Sequence, residues 1–241
     1  MLGLLKPQII HFSSSLEWVK NKGMPKLKQI KAVGYFMPFL KSLERLITHR
    51  DFQKSLKNPS DASFANFFKD VNDGFYYKNH PILCDKDALA IITYCDNIEV
   101  TNTLDIKTKK HKLAVFYWHV ANIDPAYRSQ LSVINLLAVA KTNYIRQFGS
   151  DAILEDFLHG LSVLKNGFSF NDNEVHGTIK GALLAFPSDT LADNYIGGFK
   201  ESPSFAYSPC HICIVKKSQM KCVASESEIT VRDSATHVEH Q

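Results

Sequence analysis

Two apolar runs, Ala88–Tyr94 and Leu113–Val120, flank a polar, basic connection, and this arrangement restricts the fold more than any other stretch of the chain. Both runs have strand length and are rich in β-branched and aromatic residues. They read as two buried strands joined by a hairpin-like loop. The first run stops on a pair of acids, Asp96 and Glu99, and the connection occupies Asp105–Lys112. Carboxylates at a strand exit are rigidly mounted and face an open loop, where they can meet a metal ion or a substrate.

The rest of the chain is read around that pair. Its 241 residues are 45% hydrophobic, enough for one sizeable core or two modest domains. A 22% charged and 11% aromatic content is that of a folded protein, not a disordered one. No stretch reaches the roughly 18 apolar residues of a membrane helix. The start, MLGLLKPQIIHF, lacks a basic segment followed by a small-residue cleavage site. With five cysteines, an odd number, and no secretory signal, the chain is expected to keep its thiols reduced, in the nucleus or cytoplasm and not outside the cell. The net charge of +4 admits nucleic acid as a partner but fits a soluble protein with scattered lysines equally well.

Residues 1–80 read as a helical region. In Leu27–Arg50 the apolar residues Ile30, Val33, Phe36, Phe39, Leu40, Leu43 and Ile47 recur at three- and four-residue steps, with Pro38 as a kink or divider. Phe64, Phe67 and Phe68 repeat that spacing, and Asp73–Cys84 reads as a loop into the core. Beyond the strand pair, Ser129–Phe148 reads as a long amphipathic helix closed by Gly149. Asp151 caps a second helix that runs to about Lys165 and ends at Gly167. Phe168–Val175 reads as a small hairpin, and Thr178–Phe186 as a further buried strand followed by Asp189. Strand, strand, helices, strand and acid make an α/β pattern.

Three groups of residues could carry chemistry. Asp96, with Glu99, and Asp189 each follow a core strand. On neighbouring strands such carboxylates would converge, and hard oxygen ligands of this kind suit Mg2+ or Mn2+ in phosphodiester chemistry. Strand-end acids also commonly cap turns. The cluster TKKHK at 108–112, with Lys109, Lys110 and Lys112, could hold a phosphate backbone; it could equally be a solvated hairpin tip. Finally, Cys210 and Cys213 form a C-x2-C, and His237 and His240 form an H-x2-H after 23 intervening residues. Together they would supply a tetrahedral Zn2+ site, with Cys222 and His211 as spare donors. No phosphate-binding glycine loop, dinucleotide fingerprint or nucleophile elbow is present, so no small-molecule cofactor is expected.

The run YCDNIEVTNTLDIKTKKHKLAVFYWHVANIDPAYRS resembles a stretch of transposase-like proteins from mobile elements of animal genomes, related to CACTA-type transposases with an RNase H-like core. Tyr94, Asp96, Glu99, Val100, Asn102, Leu104, His111, Lys112, Leu113, Phe116, Tyr117, Pro125, Tyr127, Arg128 and Ser129 carry the match. Asp189, Gly197, Gly198, Phe199, Lys200 and Glu201 resemble the same family's later strand-and-acid segment, and the C-x2-C and H-x2-H resemble its zinc-binding segment.

The resemblance implies an N-terminal helical region over 1–80, a partial RNase H-like core over 81–204 and a truncated zinc-binding-like segment over 205–241. It makes Asp96 (or Glu99) and Asp189 the first two metal-binding acids of a DNA-cleaving and strand-joining site. Lys109, Lys110, Lys112 and Arg128 become candidate DNA contacts. The sequence departs from the family at Asn97, which replaces an acid, at Thr103, which replaces a proline, and at Asp105, which replaces a glycine. It also stops at Gln241, before the third acid such cores use. The expectation is therefore a transposon-derived, catalytically inactive remnant. The alternatives are a non-enzymatic DNA- or chromatin-binding module, or a relic reading frame.

Overall fold

The computed structural model describes residues 5–21, 24–56, 68–100, 112–172, 175–188, 196–199 and 203–233. The chain divides into two compact units, residues 1–186 and 187–241.

The first unit is built on a six-stranded sheet. Strands β1 (Gln8–Asn21) and β2 (Met24–Phe36) form a long antiparallel ribbon. Helices α1 (Phe39–Thr48), α2 (Arg50–Ser55) and the short α3 (Phe75–Asn79) follow. Strands β3 (Leu89–Glu99), β4 (Lys112–Val120) and β5 (Asn135–Lys141) form an antiparallel meander. Helices α4 (Thr142–Phe148) and α5 (Asp151–Asn166) then lead through a separate hairpin, β6 (Phe168–Asp172) and β7 (Val175–Ile179), to β8 (Gly181–Ala185). The strand order is β1-β2-β5-β4-β3-β8, with β8 parallel to β3 and every other pairing antiparallel.

The strand pair expected from the two apolar runs is present, in the register Thr93↔Trp118 and Glu99↔Lys112, but β3 continues past Tyr94, so Asp96 and Glu99 lie within the paired strand and not at its exit. Alternation sends Thr93 and Trp118 to one face and Tyr94 and Tyr117 to the other. On the first face Phe39 of α1 meets Trp118 edge-on at 5.0 Å and Phe157 of α5 edge-on at 4.9 Å, all three buried. On the second face α3 and the turn after it cover one end, where Tyr77 and Leu83 pack with Ala90 and Ala121. Asn122 extends the ladder beyond β4. Its carbonyl accepts from the Ala90 N–H at 2.7 Å, and its amide donates to the Ala88 carbonyl at 2.9 Å.

Helix α5 lies where its amphipathic period predicts, and Gly149 and Gly167 flank it with φ of +83° and +112°, but Asp151 is its first helical residue and not its cap: the N-cap is Ser150, which makes no side-chain cap bond. The hairpin expected over 168–175 is also present and continues to Ile179.

Three expectations are corrected. Residues 1–80 are not a helical region: the described part begins with the β1–β2 ribbon, and among the described residues only 39–48, 50–55 and 75–79 are α-helical. In Leu27–Arg50 the stripe was counted through β2. There the buried Ala32 and Gly34 alternate with the exposed Lys31 and Tyr35, a period of two. Pro38 is the divider, at the N-cap position of α1. The long helix expected over 129–148 is turn, strand β5 and the short α4. Leu137, Ala138 and Ala140 are buried in β5, which lies between β2 and β4, and the register shift opposite Phe116 and Tyr117 breaks the strand's alternation. The strand expected over 178–186 breaks at Lys180, so Thr178 belongs to β7 and only 181–185 joins the main sheet. Phe64 and Phe67, of the expected phenylalanine helix, lie outside the described residues.

Gly181 explains the close approach of β8 to β3. A Cβ there would sit 2.5 Å from the Leu89 carbonyl oxygen and 2.9 Å from Leu164 Cδ2. Gly181→Ala is expected to lower stability by about 1–3 kcal/mol, the cost of overpacking a rigid contact. Gly149→Ala, with nothing near its Cβ, is expected to cost a similar ~1–3 kcal/mol through strain alone, because φ +83° with ψ 172° is a conformation that only glycine adopts readily. Thermal or urea unfolding checks both variants, and a loss below about 0.5 kcal/mol in either would contradict its cause.

Candidate functional site

The acid pair of β3 does not act as a pair. Positions 96 and 99 have opposite parity, so their side chains leave opposite faces of the sheet. Asp96 is exposed and shares a face with Tyr94, Tyr117 and His119; its Oδ1 accepts the Asn97 N–H at 2.7 Å. Glu99 closes the ladder opposite Lys112 on the other face. Asn97, where the resembled family carries an acid, ties β3 to the start of α4: its side-chain carbonyl accepts from the Thr142 hydroxyl at 2.8 Å.

Around Asp96 the open face is aromatic. Tyr94 and Tyr117 lie 5.2 Å apart between ring centroids, and His119 lies 6.5 Å from Tyr94. Burial raises the Tyr94 phenol, and Tyr117 adds to the shift. Burial also raises the Tyr117 phenol, helped by the charges of Asp96 and Cys95. The His119 imidazole is lowered. Burial is the main cause, opposed by the Val120 carbonyl and assisted by Arg128. At neutral pH this face therefore offers one carboxylate, two protonated phenols and an uncharged imidazole, a set suited to hydrogen bonding and stacking. Sequence reading matched Tyr94 and Tyr117 to a family but gave them no role. The period-two spacing of FYWHV was the signal that places Tyr117 and His119 on one face.

Asp189 lies outside the described residues, as do Lys109, Lys110, His237 and His240. Lys112 is the half-buried first residue of β4. Arg128, expected to contact DNA, serves an internal purpose instead. Its guanidinium binds Asp70 through two parallel bonds of 2.5 and 2.6 Å, and its Nε donates to the Ile123 carbonyl at 2.9 Å. Both side chains are less than a fifth exposed. The fork clamps the 3-10 turn at Val71–Asp73 to the end of β4, a contact between residues 58 positions apart that has no local sequence signal.

In the second unit the C-x2-C forms a tight turn. The Ile212 N–H donates to Cys210 Sγ at 3.4 Å, and Cys213 bridges to Val231. Arg232 Nη2 donates to the carbonyls of Ser208, Cys210 and Cys213 at 3.3–3.4 Å, holding the turn closed. Burial pushes the Cys210 thiol up, but the Ile212 and Cys213 N–H groups, the Cys213 thiol and Arg232 outweigh it, and the net shift is downward. His211 stacks on Phe199 at 4.6 Å. Two thiols on such a turn favour a borderline-soft cation such as zinc. Among the described residues no group of three or more His, Cys, Asp or Glu side chains is placed to hold a metal ion.

A cleft of about 860 Å³ lies between α1–α2 and the 127–136 segment, lined in part by Arg45, His49, Phe52, Tyr127 and Asn135.

No protein-family model matches the chain, and no curated protein matches it.

Arg128→Met is expected to destabilise the first unit by roughly 2–3 kcal/mol, because it leaves the Asp70 carboxylate unpaired in a mostly buried position. That range is discounted from a fully buried pair for the remaining exposure. Urea unfolding checks it; a loss below about 0.5 kcal/mol, the size seen for exposed pairs, would contradict it.

Proposed function

We propose that this chain is a transposon-derived protein, the remnant of a DNA transposase whose ancestral reaction was metal-dependent DNA cleavage and strand transfer. One observation carries the reading. A three-stranded antiparallel meander is followed by helix and by a strand parallel to the meander's first strand, in the order β5-β4-β3-β8. That is the order an RNase H-like core requires, and it is independent of the sequence strings that first suggested the family.

In this reading Asp96 and Asp189 are the descendants of the two metal-binding acids, with Mg2+ or Mn2+ as the ancestral cation. The cation would polarise a phosphodiester; the chain would supply its oxygen ligands.

The reading is of a site that no longer catalyses. Two-cation chemistry draws on several converging carboxylates, but Glu99 leaves the opposite face from Asp96, and Asn97 is engaged with Thr142. The purified chain is expected to show no Mg2+-dependent nicking of plasmid DNA. Nicking that disappears in both Asp96→Asn and Asp189→Asn would overturn the inactive reading. Weak Mn2+ binding should persist, seen as paramagnetic broadening of amides around Asp96 and lost in Asp96→Asn. If broadening leaves that region untouched, the metal-site ancestry fails.

In the second unit the proposed Zn2+ ligands are Cys210, Cys213, His237 and His240. Metal analysis is expected to give about one zinc per chain, as for a tetrahedral site with sulfur and nitrogen ligands. The zinc should be lost in Cys210→Ser and Cys213→Ser but kept in Cys222→Ser. A metal-free wild-type chain would reject the site.

A further inference from the structure

The β1–β2 ribbon is the part of the molecule least explained by the core. β2 joins the sheet only through Gly34–Phe36, opposite Ala138–Ala140 of β5, while its pairing with β1 continues out to Asn21↔Met24. At about 3.3 Å per residue the ribbon runs roughly 33 Å from Gly34 to Met24. More than halfway out, opposite Lys28, Glu17 ties the ribbon back to the helix side of β5, binding Lys141 Nζ at 3.2 Å and the Tyr144 hydroxyl at 2.7 Å.

Beyond that anchor large apolar side chains stand in solvent. Trp18 is 73% exposed, directly opposite the exposed Leu27, with Leu16 on the same face and Met24 near the turn. An exposed apolar group of this size on one arm marks a contact surface. Charge selects its partner. Residues 14–31 contain Lys20, Lys22, Lys26, Lys28 and Lys31 against a single acid, Glu17, which is already engaged and also faces Lys28 across the ribbon. Lys26, Lys28 and Lys31 are exposed. A second copy of the same arm would set like charges against each other. A lipid surface would want an uninterrupted apolar face, but Ser14, Gln29 and Lys31 share the face of Leu16, Trp18 and Leu27. A nucleic acid strand uses both features at once, phosphates meeting lysines and bases meeting an aromatic ring, and a two-stranded ribbon has the width of a major groove.

Lys31 shares the face of Trp18, whereas Lys26 and Lys28 leave the opposite face. We propose that the β1–β2 ribbon is a nucleic-acid-binding arm, with Trp18 against the bases, Lys31 on the phosphates beside it, and Lys26 and Lys28 on the flanking phosphates from the ribbon's other face. This stands on the ribbon alone and not on the transposase reading.

The test uses the full chain with fluorescently labelled single-stranded and duplex oligonucleotides of random sequence. Trp18 and Trp118 are the two tryptophans; Trp118 is fully buried, so a change in emission on binding reports Trp18. Binding of either oligonucleotide is expected to shift that emission, and the tighter binder identifies the form of nucleic acid. Trp18→Ala should weaken binding roughly tenfold, as for loss of one stacked base. The triple variant Lys26→Gln, Lys28→Gln, Lys31→Gln should lower the slope of log affinity against log salt by about 2–3. All these positions are exposed, so unchanged thermal unfolding confirms that the variants are folded. The Lys109→Gln, Lys110→Gln, Lys112→Gln variant reports separately on the connection between β3 and β4. Binding lost there but kept in the ribbon variants would overturn the proposal. So would no binding at low salt, self-association through Trp18, or Trp18-dependent binding to anionic phosphatidylserine vesicles without binding to nucleic acid. Absence of DNA nicking leaves it untouched.

Discussion

Phe39 is the residue on which the first unit closes. It enters edge-on between Trp118 of the sheet and Phe157 of α5, and it brings α1 down with it. Two features of α5 make the approach feasible. Gly160 carries no side chain where a Cβ would sit 2.5 Å from Phe39 Cδ1. One turn earlier, Asp156 accepts the Phe39 N–H at 2.8 Å, satisfying a donor left open at the start of α1, whose N-cap residue is a proline with no side-chain bond to offer. A single glycine and a single carboxylate thus join two helices to the sheet across 117 positions of sequence.

This packing fixes what the other face can be. With α1 and α5 over the Trp118 side, the Tyr94 side is left to the short α3 and the turn behind it, which cover only the end near Ala90. The rest stays half-open, with Tyr94, Tyr117, His119 and Asp96 on it. The closed side carries a cost: Thr93 Oγ1 and Trp118 Nε1 are buried with no hydrogen-bond partner among the described residues, at about 1–3 kcal/mol each if no water reaches them. The asymmetry explains why the acid that meets solvent here is Asp96, while Glu99, three residues on, ends against Lys112 on the reverse side.

The parts of this fold that were legible in sequence are those whose pattern is set by local burial. β3 and β4 announced themselves because two apolar runs of strand length flank a charged connection. Helix α5 did so because an amphipathic period and a terminal glycine agree. β2 and β5 did not. Ile30, Val33, Phe36 and Leu137, Ala138 fit a helical stripe as well as a strand, and only the neighbours β1, β4 and the β2–β5 contact decide between them. The site showed the same division. The C-x2-C spacing marks Cys210 and Cys213 as a candidate metal pair, whereas the Arg128–Asp70 pair has no such mark, because its two residues are distant in sequence and nothing near either one signals the other.

By itself, then, the amino-acid sequence determined the central strand pair and the helix α5, since burial pattern and composition are local properties. Only the tertiary structure decided which acids share a face, that Arg128 pairs with Asp70, that β8 lies parallel to β3, and that residues 8–36 form a long two-stranded ribbon instead of a helix. Each of those depends on pairing between segments far apart in the chain. There, the burial supplied by a distant neighbour outweighs the propensity of the residues themselves.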